Sequence, residues 1–114
     1  MNKIYRLTQR GSFTYIYKKG KRAYDKLITL YYVDAYNLKI GVSVSKKVGN
    51  SVVRNKVKRR IKESFRQIIP FVIPAYNIVI VARQGIENAS YAEISKSIEQ
   101  VLQKEKLLAR QVQG

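Results

Sequence analysis

The sequence predicts an α+β fold, a two-layer α/β sandwich with helices lying on a mixed four-stranded sheet. Three observations predict it. Residues 52–68 and 91–109 repeat apolar side chains at helical spacing. Residues 27–33, 39–45 and 76–82 are rich in β-branched and aromatic residues, as strands are. Helical and strand signals alternate along 114 residues, a length that suits one domain over 1–114 with its ordered core at about 5–109.

The elements follow in order. Ser12 is placed to cap a helix over 13–19, which Gly20 ends. Phe13, Ile16 and Tyr17 stand at i, i+3 and i+4 and share one face. LITLYYV at 27–33 is a strand, and a short strand near Arg22–Tyr24 supplies the fourth. DAYN at 34–37 is a turn. KIGVSVS at 39–45 alternates: Ile40, Val42 and Val44 face one side, Gly41, Ser43 and Ser45 the other. The small outer residues leave room for a ligand to come close. Asn50 or Ser51 caps a helix over 52–68 whose apolar stripe is Val53, Val57, Ile61, Phe65 and Ile68. Pro70 and Pro74 stop it. YNIVIVA at 76–82 is a continuous apolar run, expected of a central strand covered on both faces. Ser90 and Glu93 form a capping box, and Ile94, Ile98, Val101, Leu102 and Leu108 carry a last helix to about 109.

The net charge is +16, and it is concentrated. Residues 1–66 carry eighteen Lys or Arg against Asp25, Asp34 and Glu63, a balance of +15; residues 67–114 balance at +1. Within 49–66 there are seven Lys or Arg and one acid. Arg54 borders the apolar stripe, and Asn55, Lys56, Lys58, Arg59, Arg60, Lys62 and Arg66 occupy the rest of the helix circumference. Solvated helices usually mix signs at i, i+4 spacing. Here Arg59 with Glu63 is the attractive option, and Lys58 with Lys62 is repulsive. A polyanion offsets such repulsion by releasing its counterions, and free N–H groups at the helix N-terminus add to the attraction.

Catalysis by this chain's own side chains is not expected. With no His and no Cys, a Ser/His or Cys/His nucleophile and a His acid/base are excluded. The seven acids are not clustered, and no phosphate-loop motif is present. Residues 1–12 are too polar for a signal peptide. The apolar window at 68–82 is too short to span a bilayer and is broken by Pro70, Pro74 and Asn77. No membrane partner is expected, and the cytoplasm is the expected compartment. A strand precedes the basic helix and a strand follows it, which argues against a DNA major-groove reader of the helix-turn-helix type; no DNA partner is expected. Aromatics on a strand face suit single-stranded RNA. The candidates are Phe13, Tyr17 and Tyr31. Tyr31 shares parity with Leu27, Thr29 and Val33, opposite Ile28, Leu30 and Tyr32. On pattern alone, such an aromatic is more often core than platform.

The stretch SVSKKVGNSVVRNKVKRRIKE at 43–63 resembles the signature of the bacterial ribonuclease P protein subunit. Its Arg-Asn-x-x-Lys-Arg core after Gly-Asn is matched by Gly49-Asn50, Arg54-Asn55 and Lys58-Arg59. FTYIYKKG at 13–20 is similar to that family's aromatic pair before a Lys-x-Gly turn, and residues 76–83 to its central strand. Tyr17 stands where relatives often have Phe; either ring can stack.

The resemblance implies a protein that assists a catalytic RNA in endonucleolytic removal of the 5′ leader from precursor tRNA. The chain would then be a subunit of an endoribonuclease whose catalytic groups, and most of whose Mg²⁺ ligands, belong to the RNA. It implies a catalytic-RNA site at Lys46, Lys47, Asn50, Arg54, Asn55, Lys56, Lys58, Arg59, Arg60 and Lys62, and a leader site at Phe13, Tyr17 and Tyr31. It also implies a fold like the second domain of ribosomal protein S5, with a left-handed βαβ crossover where the general rule gives a right-handed one. A ribosomal RNA-binding protein would share the charge and fold, but not the long motif. A cationic membrane-surface protein would share only the charge, and it would present its apolar stripe to lipid.

Overall fold

Period-2 alternation in the strands and 3.6-residue periodicity in the helices each leave an apolar face to be covered, and the sheet is where they meet. The computed structural model describes residues 5–109, so both extremes of the expected 1–114 domain lie outside the described residues. The elements are α1 (Arg10–Lys19), β1 (Lys21–Tyr24), β2 (Ile28–Asp34), β3 (Lys39–Ser43), α2 (Ser51–Ile68), β4 (Tyr76–Ala82) and α3 (Tyr91–Lys104), with 3₁₀ turns at Ile69–Phe71 and Ile86–Asn88. The four strands lie in the order β1-β2-β4-β3. β1 with β2 and β2 with β4 are antiparallel; β3 and β4 are parallel, and α2 makes the crossover between them.

One face of the sheet carries the main core. Ile28, Leu30, Tyr32, Ile40, Ile78, Ile80 and Ala82 pack there with Val57, Ile61, Phe65 and Ile68 of α2 and Ile94, Ile98, Val101 and Leu102 of α3. Fully burying one such side chain contributes roughly 1.5–3 kcal/mol, so α2 is held by its stripe and not by its own propensity. The other face is covered only in part. There α1 lays buried Ile16 against the sheet, and Val79 is sealed beneath it. The central strand is therefore covered on both faces at Val79, while Val81 stays half exposed.

Several boundaries differ from the sequence expectation, each for a local reason. Helix α1 starts at Arg10 with Gln9 in the cap position and no side-chain cap, so Ser12 lies inside the helix. Leu27 is not in β2: the Asp25 carboxylate accepts the Leu27 and Ile28 N–H groups at 2.8 and 3.0 Å and makes a turn of that stretch. Asp34 instead extends β2, paired with Tyr76. β3 ends at Ser43, because Ser45 begins a turn in which its carbonyl accepts the Val48 N–H at 3.1 Å. Asn50 is the cap of α2; its Oδ1 accepts the Val53 N–H at 3.0 Å.

Helix α3 ends at Lys104, five residues short of the expected end. Lys106 adopts φ 61°, and the Leu107 N–H returns to the Leu102 carbonyl at 2.9 Å, the closure that terminates many helices. Leu107 is thereby buried, and Leu108 pairs with Val72. At the far edge of the sheet, Arg6 bridges to Ile40 and Leu7 donates to the Ile40 carbonyl at 2.9 Å. This covers the β3 edge, which the sequence reading leaves open.

Candidate nucleic-acid interface

The open face of the sheet is built by register. Partnered residues on neighbouring strands point to the same side. Tyr31 partners Val79, which partners Gly41. This row crosses β2, β4 and β3 on the side away from α2 and α3. Phe13 of α1 lies over its β3 end: a Cβ on Gly41 would stand 2.5 Å from the Phe13 ring and 3.3 Å from Leu7. The absence of a side chain at Gly41 therefore admits Phe13. This corrects the expectation that the small outer residues of β3 leave room for a ligand at Gly41, which is buried.

The three predicted aromatics come together. The ring centroids of Phe13 and Tyr17 are 6.5 Å apart, and those of Tyr17 and Tyr31 are 5.0 Å apart in an edge-to-face contact. Tyr17 is 39% exposed, and Phe13 and Tyr31 are half-buried. Tyr31 is thus outside the core, where its strand neighbours Leu30 and Tyr32 are buried. The three rings form one partly exposed ladder running from α1 onto the sheet.

The basic residues are placed less uniformly. Lys46 and Lys47 are exposed on the turn that follows β3. That turn is drawn tight by the Lys47 N–H donating to Ser45 Oγ at 3.3 Å. A Cβ on Gly49 would stand 2.8 Å from Val53, so glycine lets the chain pass close to the first turn of α2. Asn55, Lys56 and Arg59 are exposed, and Lys58 and Lys62 are half-buried along the helix flank. Three expected binding residues also have structural positions. Asn50 spends its Oδ1 as the helix cap. Arg60 donates from Nη1 to the Ala89 carbonyl at 3.0 Å, tying α2 to the segment before α3. Arg54 has its Nε buried without a hydrogen-bond partner among the described residues.

Glu63 pairs with Arg66 and not with Arg59, as the i, i+4 spacing had suggested. The guanidinium hydrogen bond holds the Glu63 carboxyl below its ordinary range and pushes Arg66 upward. Arg66 is thus neutralised locally, and among the described residues Arg59 forms no ion pair. Among the described residues no three His, Cys, Asp or Glu side chains come together to hold a metal ion. None of the described helices is long and apolar enough to cross a membrane.

A strongly basic helix on one side of the sheet and a partly exposed aromatic row on the other are the features of a nucleic-acid-binding protein. Comparison with known proteins makes the assignment specific. Residues 1–106 match the family described as Ribonuclease P, and the chain belongs to it, as a protein component of the endoribonuclease that matures tRNA 5′ ends. The "Ribonuclease P protein component" of Oceanobacillus iheyensis is 42% identical over 111 residues, covering 95% of this chain and 92% of its own. The solved RNase P protein of Staphylococcus aureus superposes with a TM-score of 0.80 at 35% identity, over 90% of this chain and 96% of its own. That of Thermotoga maritima, at 23% identity, shares the fold, with a TM-score of 0.76 over 96% of this chain and 98% of its own. The mixed four-stranded sheet and its crossover through α2 are consistent with the solved RNase P protein structures.

Proposed function

We propose that the chain holds two RNAs on two surfaces. Lys46, Lys47, the exposed N-terminal half of α2 and its flank (Arg54, Asn55, Lys56, Lys58, Arg59, Lys62) bind the catalytic RNA, with Asn50 and Arg60 shaping that surface more than touching RNA. The Phe13–Tyr17–Tyr31 ladder binds the 5′ leader of precursor tRNA by stacking. The observation that carries the reading is that Phe13 and Tyr17 of α1 and Tyr31 of β2 form one contiguous, partly exposed ladder on the sparsely covered sheet face. Stacking on such rings is tolerant of sequence, because every base has a π-face, and a leader whose sequence varies calls for that.

In this reading the chain supplies positioning. The basic surface docks the protein on the catalytic RNA, the ladder holds the leader extended, and the scissile phosphate is thereby presented to the RNA. The Mg²⁺ of the holoenzyme is assigned to ligands on the RNA, and the complex to the cytoplasm. Purified protein should leave precursor tRNA intact in Mg²⁺, and adding the catalytic RNA should restore cutting at the 5′ end. RNA-free cleavage that survives repurification and disappears on substituting an Asp or Glu would overturn the proposal.

A further inference from the structure

The aromatic ladder does not end at Tyr31. Arg22 of β1 is the register partner of Tyr31, and Tyr24 is the partner of Thr29. Arg22 and Tyr24 therefore stand on the same open face, while Ala23 between them is buried on the helix side at 6% exposure. Tyr24 is 55% exposed. Two guanidiniums lie over its ring, Arg22 with Cζ 5.5 Å from the centroid and Arg83 with Cζ 5.2 Å.

Arg83 is fixed at both ends. Its N–H donates to the Leu27 carbonyl at 2.9 Å, and its Nη1 to the Asp25 carbonyl at 2.7 Å. The nearest carboxylate in sequence, Asp25, is spent elsewhere: it accepts the Leu27 and Ile28 N–H groups and the Ser97 hydroxyl. Among the described residues neither guanidinium forms an ion pair. Two unpaired cations gathered on one exposed ring repel each other, and an anion between them would relieve this. A tyrosine face orients guanidinium groups while leaving their N–H edges free to donate.

We propose that Arg22, Tyr24 and Arg83 form a further binding site, at the β1 edge, for a phosphodiester of single-stranded RNA. It extends the ladder in the order Phe13, Tyr17, Tyr31, Arg22, Tyr24, Arg83. The inference rests on the leader reading of the ladder and deepens it. Lys46, Lys47 and α2 adjoin β3, and β1 is the opposite edge of the sheet. A strand leaving the catalytic RNA therefore reaches Phe13 over β3 first and the arginine pair last. The site takes leader nucleotides farther from the cleavage point than those on the rings. It acts on the backbone, so it adds affinity for long leaders without reading their sequence.

The test uses holoenzyme reconstituted with the catalytic RNA and precursor tRNAs whose leaders are shortened one nucleotide at a time. Wild type should gain affinity in two stages as the leader lengthens, over the rings and then over the β1 edge. Arg22→Gln should remove only the second stage, about 3- to 10-fold for one solvent-exposed hydrogen-bonded contact. It should also flatten the slope of log K against log salt by about 0.7. Arg22→Lys should keep most of that slope. Arg22 is exposed on an edge strand, so the melting temperature should not move.

Folded Arg22→Gln protein that binds every leader length as wild type does would overturn the proposal. So would an equal loss at all lengths, leaderless tRNA included. Tyr31→Ala run in parallel separates the two readings. If Tyr31→Ala weakens leader binding and Arg22→Gln does not, the ladder stands and its extension falls. If Tyr31→Ala has no effect, the ladder itself is wrong.

Discussion

Replacing Tyr31 by alanine separates a stacking platform from a packing residue, because the two roles predict opposite pairs of effects. The ring is half-buried and makes an edge-to-face contact with Tyr17 at 5.0 Å. Losing such a pair costs about 0.5–1.5 kcal/mol beyond the area it buries. With partial burial added, the fold should lose about 1–2 kcal/mol, well below the ~3–5 kcal/mol for truncating a fully buried aromatic. About 1 kcal/mol moves Tm by roughly 4–8 °C in a domain of this size, so the variant should melt lower by about 5–15 °C and stay folded at 25 °C. Losing one stacked base costs about 1–3 kcal/mol, a roughly 5- to 150-fold rise in Kd. The assay is holoenzyme binding to precursor tRNA with its leader and to mature tRNA without it, beside a thermal melt. Affinity should fall for the first ligand and hold for the second. A drop in Tm beyond about 20 °C with equal loss on both ligands would mean that Tyr31 packs and does not stack.

Arg59→Ala should leave stability unchanged and weaken catalytic-RNA binding, with the salt slope reduced by somewhat less than ~1; Arg60→Ala should instead cost about 1.5–3 kcal/mol of stability by freeing the Ala89 carbonyl, which chemical denaturation measures. Asn55→Ala should weaken catalytic-RNA binding with little change in that slope, because an amide brings hydrogen bonds and no charge; a slope change equal to that of Arg59→Ala would contradict its role. Burial, and then the Tyr32 hydroxyl's hydrogen bond to Glu105 at 2.8 Å, push the Tyr32 phenol up to about 12. Its stabilisation is therefore complete below the ordinary tyrosine value of ~10 and lost as pH rises through about 12, and Tyr32→Phe should remove that part of the alkaline stability profile. The Ser90 backbone N–H, and then its side chain, hold Glu93 below its ordinary range. That contribution is present above the ordinary glutamate value and lost as pH falls through the lowered one, so Glu93→Gln should flatten the acid limb of the melting profile.

The sequence by itself determined what depends on neighbours within a few residues. The cap at Asn50, the Ser90–Glu93 box, the limits of β4 and the buried stripe of α2 all appear where the residues place them. In each, a local hydrogen bond or a fixed periodicity sets the outcome. The composition likewise showed that this chain has no His and no Cys, and the motif at 43–63 carried the family. Tertiary structure decided what depends on which strands adjoin. Nothing near Gly41 in sequence shows that Phe13 will fill its place, and nothing near Arg60 shows that Ala89 will take its guanidinium. The α3 end was lost for a related reason: the helical pattern continues to Leu108, but Leu107 gains more by entering the core across a left-handed Lys106. Most telling is β1, four residues long and faint in sequence. Only its register against β2 puts Arg22 beside Tyr31, because a one-residue slip would turn every side chain of the strand to the other face.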